Sequence, residues 1–318
     1  MMPATGGRLS TLFTHKALNV TAVASLVGAL VALTLYTFDS RELLGVSVWE
    51  KPLKFLLSAL AYTATFSWLY SFVDRRKKFA TLMGNLIALL LIVELIAIVG
   101  MASVGLTSHF NVSSPFHIGI WSLMATAISL VWGATFILGA SLWNSQLLPQ
   151  DLRLAVRWAL GIALAGMGIA FTMTPPQPQQ IEPENWAGIA GAHTVGAADG
   201  GPGLPFFGWS TEAGDLRISH FFGLHSIQVL PLMAVVLVMI GASYRLRISL
   251  ITGVALSYSL LVALTYTQAL LGQSIVHWSS LVGAVLLIVL AAITTAITYQ
   301  RNTSSSGSSQ SHLADLNR

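Results

Sequence analysis

There is no cysteine among the 318 residues. That absence removes disulfides, thiolate metal ligands, iron–sulfur clusters and covalently attached c-type haem together, and leaves His, carboxylate or backbone oxygen to hold any metal. Charge is also scarce, since Asp, Glu, Lys and Arg make up 9% of the chain and hydrophobic residues 54%. An average soluble domain is about 25% charged, so this chain has too little polar side chain to cover a water-facing surface. A basic patch interleaved with aromatics is missing as well, and the net charge of +4 therefore does not point to nucleic acid. No internal repeat stands out, nor any inverted 4+4 duplication.

What the chain has is apolar length. Eight stretches, approximately 18–38, 55–73, 82–104, 118–142, 154–173, 221–244, 248–271 and 278–299, reach the roughly 20 residues that cross about 30 Å of hydrocarbon as a helix. Their apolarity is continuous rather than alternating, which predicts helices and not barrel strands. The expected fold is all-α, a bundle of about eight transmembrane helices in the lipid bilayer. The first stretch is too long for a signal-peptide core and reads as a retained helix.

Basic residues set the expected orientation. With a cytoplasmic N-terminus, twelve of the sixteen Lys and Arg fall inside, led by Arg75-Arg76-Lys77-Lys78, and only Arg41, Lys51, Lys54 and Arg217 fall outside. This is a positive-inside bias with both termini cytoplasmic. The expected segments are a cytoplasmic lead (1–17), spans one to five (18–173), an external loop or cap (174–219), spans six to eight (220–300) and a disordered Ser-rich cytoplasmic tail (301–318). The long Gly/Pro-rich connection carries Trp186, Phe206, Phe207 and Trp209, apolar anchors that predict a cap folded onto the bundle rather than a free linker.

Six of the eight histidines, His109, His117, His193, His220, His225 and His277, fall on the predicted external side. His225 and Gln228 are helical neighbours at i,i+3 and can face one cavity. His220 and His225 lie five apart, about 500° around a helix, so a regular helix does not direct both rings at one metal. In the cap, Asp199-Gly200-Gly201 reads as a turn, or as an anion nest. Asp215 fits the N-cap of the sixth helix, with Arg217 paired to it, to Glu212 or to a ligand anion. Lys51 and Lys54 read as snorkelling anchors. Glu94, the acidic residue well inside a span, is a proton-transfer candidate or a protonated, hydrogen-bonded carboxyl.

Ser108-His109-Phe110-Asn111, Lys51-Pro52-Leu53-Lys54-Phe55 and the run from His193-Thr194-Val195-Gly196 through Gly200-Gly201-Pro202-Gly203-Leu204-Pro205, Gly214-Asp215-Leu216-Arg217 and His220-Phe221-Phe222-Gly223-Leu224-His225 to Gln228 carry a resemblance. With these residues the chain resembles an uncharacterised family of bacterial polytopic inner-membrane proteins. The resemblance implies a bacterial inner-membrane location and the same multi-span fold, and implies no activity.

Three functions stay open on the sequence. One is a redox or enzyme module holding a b-type haem, a metal ion or a quinone under the cap through His225, Gln228 and one or two of His117, His220 and His277. The second is a proton-coupled transporter with Glu94 and Gln268 along its path, and the third a noncatalytic sensor or membrane assembly partner. Neither enzymatic activity nor homo-oligomerisation is decided by these residues.

Overall fold

The computed structural model describes residues 14–182, 184 and 186–276, together with 285, 288, 289, 292, 293 and 297. Seven helices are described among these: α1 (Lys16–Phe38), α2 (Glu50–Tyr70), α3 (Lys77–Ser103), α4 (Pro115–Leu142), α5 (Gln150–Ile169), α6 (Leu216–Met239) and α7 (Tyr244–Leu270). Six are long and apolar enough to cross a membrane, α5 being extended to Met173 by a 3-10 turn; α2 is the exception. It starts five residues before the expected second span and carries Glu50, Lys51, Lys54, Ser58, Thr63, Thr65 and Ser67, which dilute its apolar character. The expected eighth span lies outside the described residues except for its six isolated positions, as do the expected lead up to residue 13 and the whole tail from 301.

Local chemistry sets the helix ends. His15, Ser114, Asp215 and Ser243 cap the starts of α1, α4, α6 and α7, each side chain accepting a backbone N–H of the first turn. Three helices stop the same way: Gly105, Gly241 and Gly272 take positive φ just beyond α3, α6 and α7. The following residue then reaches back to the helix, as Leu106 N–H does to Met101 O at 2.9 Å. This left-handed glycine closure satisfies carbonyls that the helix end leaves open. Between α1 and α2 a two-residue turn at Leu44-Gly45 joins β1 (Glu42–Leu43) to β2 (Val46–Ser47). Both turn residues have positive φ, as a tight hairpin requires.

The outer surface is apolar: Val20, Leu89, Ile96, Phe136 and Leu232 are each largely exposed. Water does not tolerate so much exposed hydrocarbon, whereas lipid does, and the six apolar helices fit a membrane protein. Small residues carry much of the inner packing. At the α5–α6 crossing a Cβ on Gly166 would lie 2.4 Å from the Cα of Gly223, so the two backbones touch. On α1, Ala32 is buried and a Cβ on Gly28 would lie 2.9 Å from Leu56 Cδ2, whereas Ala24 is exposed and a Cβ on Gly133 of α4 or Gly161 of α5 would meet nothing within 4 Å.

Successive helices alternate in direction, which gives the bundle two unlike ends. One collects the short connections α2–α3, α4–α5 and α6–α7 with Arg75, Arg76, Arg245 and Arg247. There the core is solid, built on Leu18, Phe66, Leu69, Ile87, Leu138 and Leu142 with their neighbours. The other end carries the hairpin, the 104–114 connection and the long 174–215 connection, and there the bundle is hollow.

Candidate functional site

The hollow is a cavity of about 2300 Å³. That is larger than the roughly 300–1,000 Å³ of a typical small-molecule site. Its wall comes from α2, α3, α4 and α6 and its roof from the 174–215 connection.

The roof is held by backbone pairing and by one carboxylate. Val112 N–H donates to Gly188 O and Ala190 N–H to Phe110 O, both at 2.8 Å. β3 (Thr194–Val195) pairs antiparallel with β4 (Gly214–Asp215), immediately before α6. Asp199 accepts the backbone N–H groups of His193 and Thr194, the Thr194 hydroxyl at 2.8 Å and the His193 ring Nδ1 at 2.6 Å. Burial raises the Asp199 carboxyl, but those donors outweigh it and hold the group well below the usual carboxylate range. Burial also lowers His193, the Asp199 bond offsetting only part of the effect. The Asp199-Gly200-Gly201 segment is therefore a turn whose side chain organises the loop from within.

Four of the expected histidines line the cavity: His109, His193, His220 and His225. His220 Nδ1 lies 2.8 Å from Gly166 O. A carbonyl only accepts, so Nδ1 carries the proton and the neutral ring keeps its Nε2 lone pair. His225 packs on Phe221 with ring centroids 4.5 Å apart. Its Nδ1 is 3.2 Å from Gln228 Oε1 and its Nε2 3.3 Å from Ser58 Oγ of α2. Gln228 thus orients His225 without lining the cavity itself, and its Nε2 is buried with no partner among the described residues. His220 and His225 both line the cavity, which is wide enough to take two rings five residues apart on α6; lining it together is not the sharing of one metal that the spacing argues against.

The remaining candidates fall elsewhere. His117 is outside the lining, its Nδ1 3.0 Å from both Ser113 Oγ and Ser114 Oγ at the start of its own helix. His277 lies outside the described residues. Gln268 holds the turn after α7 through Ser274 O at 2.8 Å rather than facing the cavity. Among the described residues no three His, Asp or Glu side chains stand together as a metal would need.

Glu94 does line the cavity, with a partner that sequence reasoning did not pair with it. It sits nine residues before the end of α3, roughly 14 Å down the helix. The following connection folds back inward, so that His109 Nε2 comes 3.8 Å from Glu94 Oε1, just beyond hydrogen-bond reach. Glu94 Oε2 is buried with no hydrogen-bond partner among the described residues. His109 is packed against Phe55 and Trp121. Burial, then the nearby charges of Lys51 and His193, hold it well below the usual histidine range and hence neutral. The fold-back depends on Phe110, whose φ of 62° costs a side-chain-bearing residue on the order of 1 kcal/mol. Nothing in the local sequence signals that conformation.

The cations of the wall are mostly paired. Lys54 Nζ is 2.8 Å from Glu50 Oε1 and 3.1 Å from Phe207 O. Arg217 forks onto Asp215, Nε to Oδ1 at 2.9 Å and Nη2 to Oδ2 at 2.6 Å, and also donates to Gly208 O. Both reach from a helix into the cap, so they clamp it rather than snorkel. Phe207, Trp209 and Phe221 form an aromatic face beside them, Phe207 and Trp209 stacking at 4.5 Å. Chemically the site offers a largely apolar, aromatic lining with polar groups contributed by α2, α3, α6 and the cap. Compared with family models, with curated proteins and with solved structures, the chain has no match, so any functional reading stands on this geometry.

Proposed function

We propose that this chain is an integral membrane protein of the bacterial inner membrane whose cap-covered cavity binds a small amphipathic organic ligand. The observation that carries the reading is the cavity itself, about 2300 Å³ with an aromatic wall of Trp121, Phe207, Trp209 and Phe221 and polar groups from α2 and α6. An apolar body buries against the rings, while the His220 Nε2 lone pair and the Ser58–His225 pair are open to polar atoms along it. A quinone or a b-type haem has this general build; a bare metal ion does not need so large a space, and the described residues supply no three-ligand set.

The test uses the tryptophans of the wall. In nanodiscs, ω-bromo-octanol is expected to quench Trp fluorescence along a saturable curve, because bromine quenches on contact. Trp209→Phe should remove a distinct fraction of that quenching. A linear, unsaturable response identical in the variant would mean the alcohol only partitions into lipid, and the reading would fall.

The proposed orientation puts the cavity end outside and the arginine-rich end inside. The chain is free of cysteine, so single cysteines report cleanly. Ser113→Cys, exposed at the cavity end, is expected to react with an impermeant maleimide in intact cells, and Ser308→Cys in the tail to be protected. The reverse pattern would invert the topology.

A further inference from the structure

Lys51 stands apart from every other cation of the cavity wall. Arg41 is paired with Asp39, Lys54 with Glu50 and Arg217 with Asp215, all at 2.8 Å or less. Lys51 has neither an ion pair nor a hydrogen bond among the described residues, and its Nζ lies only over the Phe55 ring, 5.9 Å from the centroid. It lines the cavity near the first turn of α2, next to the aromatic body of the site. Removal from water and the field of Arg217 work against its charge, while Glu94 and Asp199 favour it from beyond ion-pair distance. Arg217 for its part spends Nε and Nη2 on Asp215 and Gly208, and its Nη1, which makes no hydrogen bond to a described residue, sits 3.8 Å from where a Cβ on Gly208 would be. Two cationic side chains lining one cavity, each with N–H donors to spare among the described residues, are what an anion fits, because it takes up the free donors.

We propose that Lys51, with the free Nη1 edge of Arg217, forms an acidic-headgroup subsite, so that the ligand of the cavity is an anionic amphiphile carrying a phosphate or carboxylate on an apolar body. This rests on the reading of the cavity as a ligand site and adds the charge and the orientation of the ligand. The headgroup lies toward α2 and the start of α6, and the apolar body runs along Trp121, Trp209 and Phe221. Lys51 is then a binding residue rather than a membrane anchor.

The experiment compares ω-bromo-octyl phosphate with ω-bromo-octanol on the full chain in nanodiscs of neutral lipid, read by saturable Trp quenching. The phosphate is expected to bind at least about tenfold tighter, the size of one charge-assisted contact. Lys51→Gln should abolish that preference while leaving the alcohol curve in place, and Lys51→Arg should restore most of it. The alcohol curve also reports that each variant is folded. Should Lys51→Gln fail to fold, inorganic phosphate decides in the wild type: it should displace the bromo-octyl phosphate and spare the alcohol. Displacement would make the phosphoryl anion itself the recognised group. Equal affinities for phosphate and alcohol, or a preference that survives Lys51→Gln, overturn the subsite alone. If neither probe saturates, it is the cavity reading that fails.

Discussion

Replacing Gly166 by valine is expected to lower the midpoint of thermal unfolding by roughly 5–10 °C, taking overpacking at about 3 kcal/mol and a few degrees per kcal/mol. A side chain at Gly166 meets backbone, not a movable side chain: the Cα, the carbonyl carbon and the next amide nitrogen at Gly223-Leu224 all lie within 2.8 Å of its Cβ. Neither helix can turn aside, because α5 and α6 are packed through Ala159, Ile162, Ser226 and Ile227, each buried, and Ser226 Oγ donates to Ala159 O at 3.0 Å. The helices must separate. Separation also strips His220 Nδ1 of its acceptor, Gly166 O, so the variant should disorder the wall of the cavity and not only its floor. Gly168→Ala is the control, since its Cβ would meet nothing within 4 Å. Equal melting of the two variants would show that the crossing is not a close contact.

The second large effect is expected in the cap. Asp199→Ala removes the acceptor for four donors at once, the His193 ring, the His193 and Thr194 amides and the Thr194 hydroxyl. These donors are left partly buried, at a local cost on the order of 3 kcal/mol. Hydrogen exchange of the amides at residues 191–199 should accelerate by about a hundredfold, while those in the middle of α5 and α6 stay protected.

The same grip makes the cap sensitive to acid, and the sign follows from two depressed groups. His193 titrates below its ordinary value in the folded chain because burial disfavours its charge. Its contribution is complete above about pH 6.5 and is lost as the pH falls from there. Asp199 is held low by its donors against the opposing effect of burial, so its contribution is complete above about pH 4 and is lost below. Cap protection in the wild type is expected to decline from about pH 6.5 downward, and again in stronger acid. A profile flat from pH 8 to pH 5, after correction for intrinsic exchange, would remove His193 from the argument.

The sequence by itself determined the helices long and apolar enough to cross a membrane, because hydrocarbon length and the need to satisfy every backbone amide internally are properties of each segment alone. The caps were equally local: Asp215 at the start of α6 and its ion pair with Arg217 lie within three residues and need no neighbour. The i,i+3 contact of His225 with Gln228 was legible for the same reason. The second helix was only partly so, since Glu50, Lys51, Lys54 and Ser58 of its first turns line the cavity and shift its apparent apolar boundary.

Tertiary structure alone decided which of the histidines share a space. The lining of one cavity takes in His109, His193, His220 and His225 and leaves His117 on its own helix start, a sorting that depends on helix rotation and on where the chain folds back. The partner of Glu94 came from such a fold-back, through a left-handed Phe110 that no composition or period announces. Whether Lys51 is an anchor or a site residue was undecidable from spacing, because a basic residue beside a span reads the same in both cases. The difference is whether a carboxylate stands opposite its ammonium, and that depends on contacts between segments far apart in the chain.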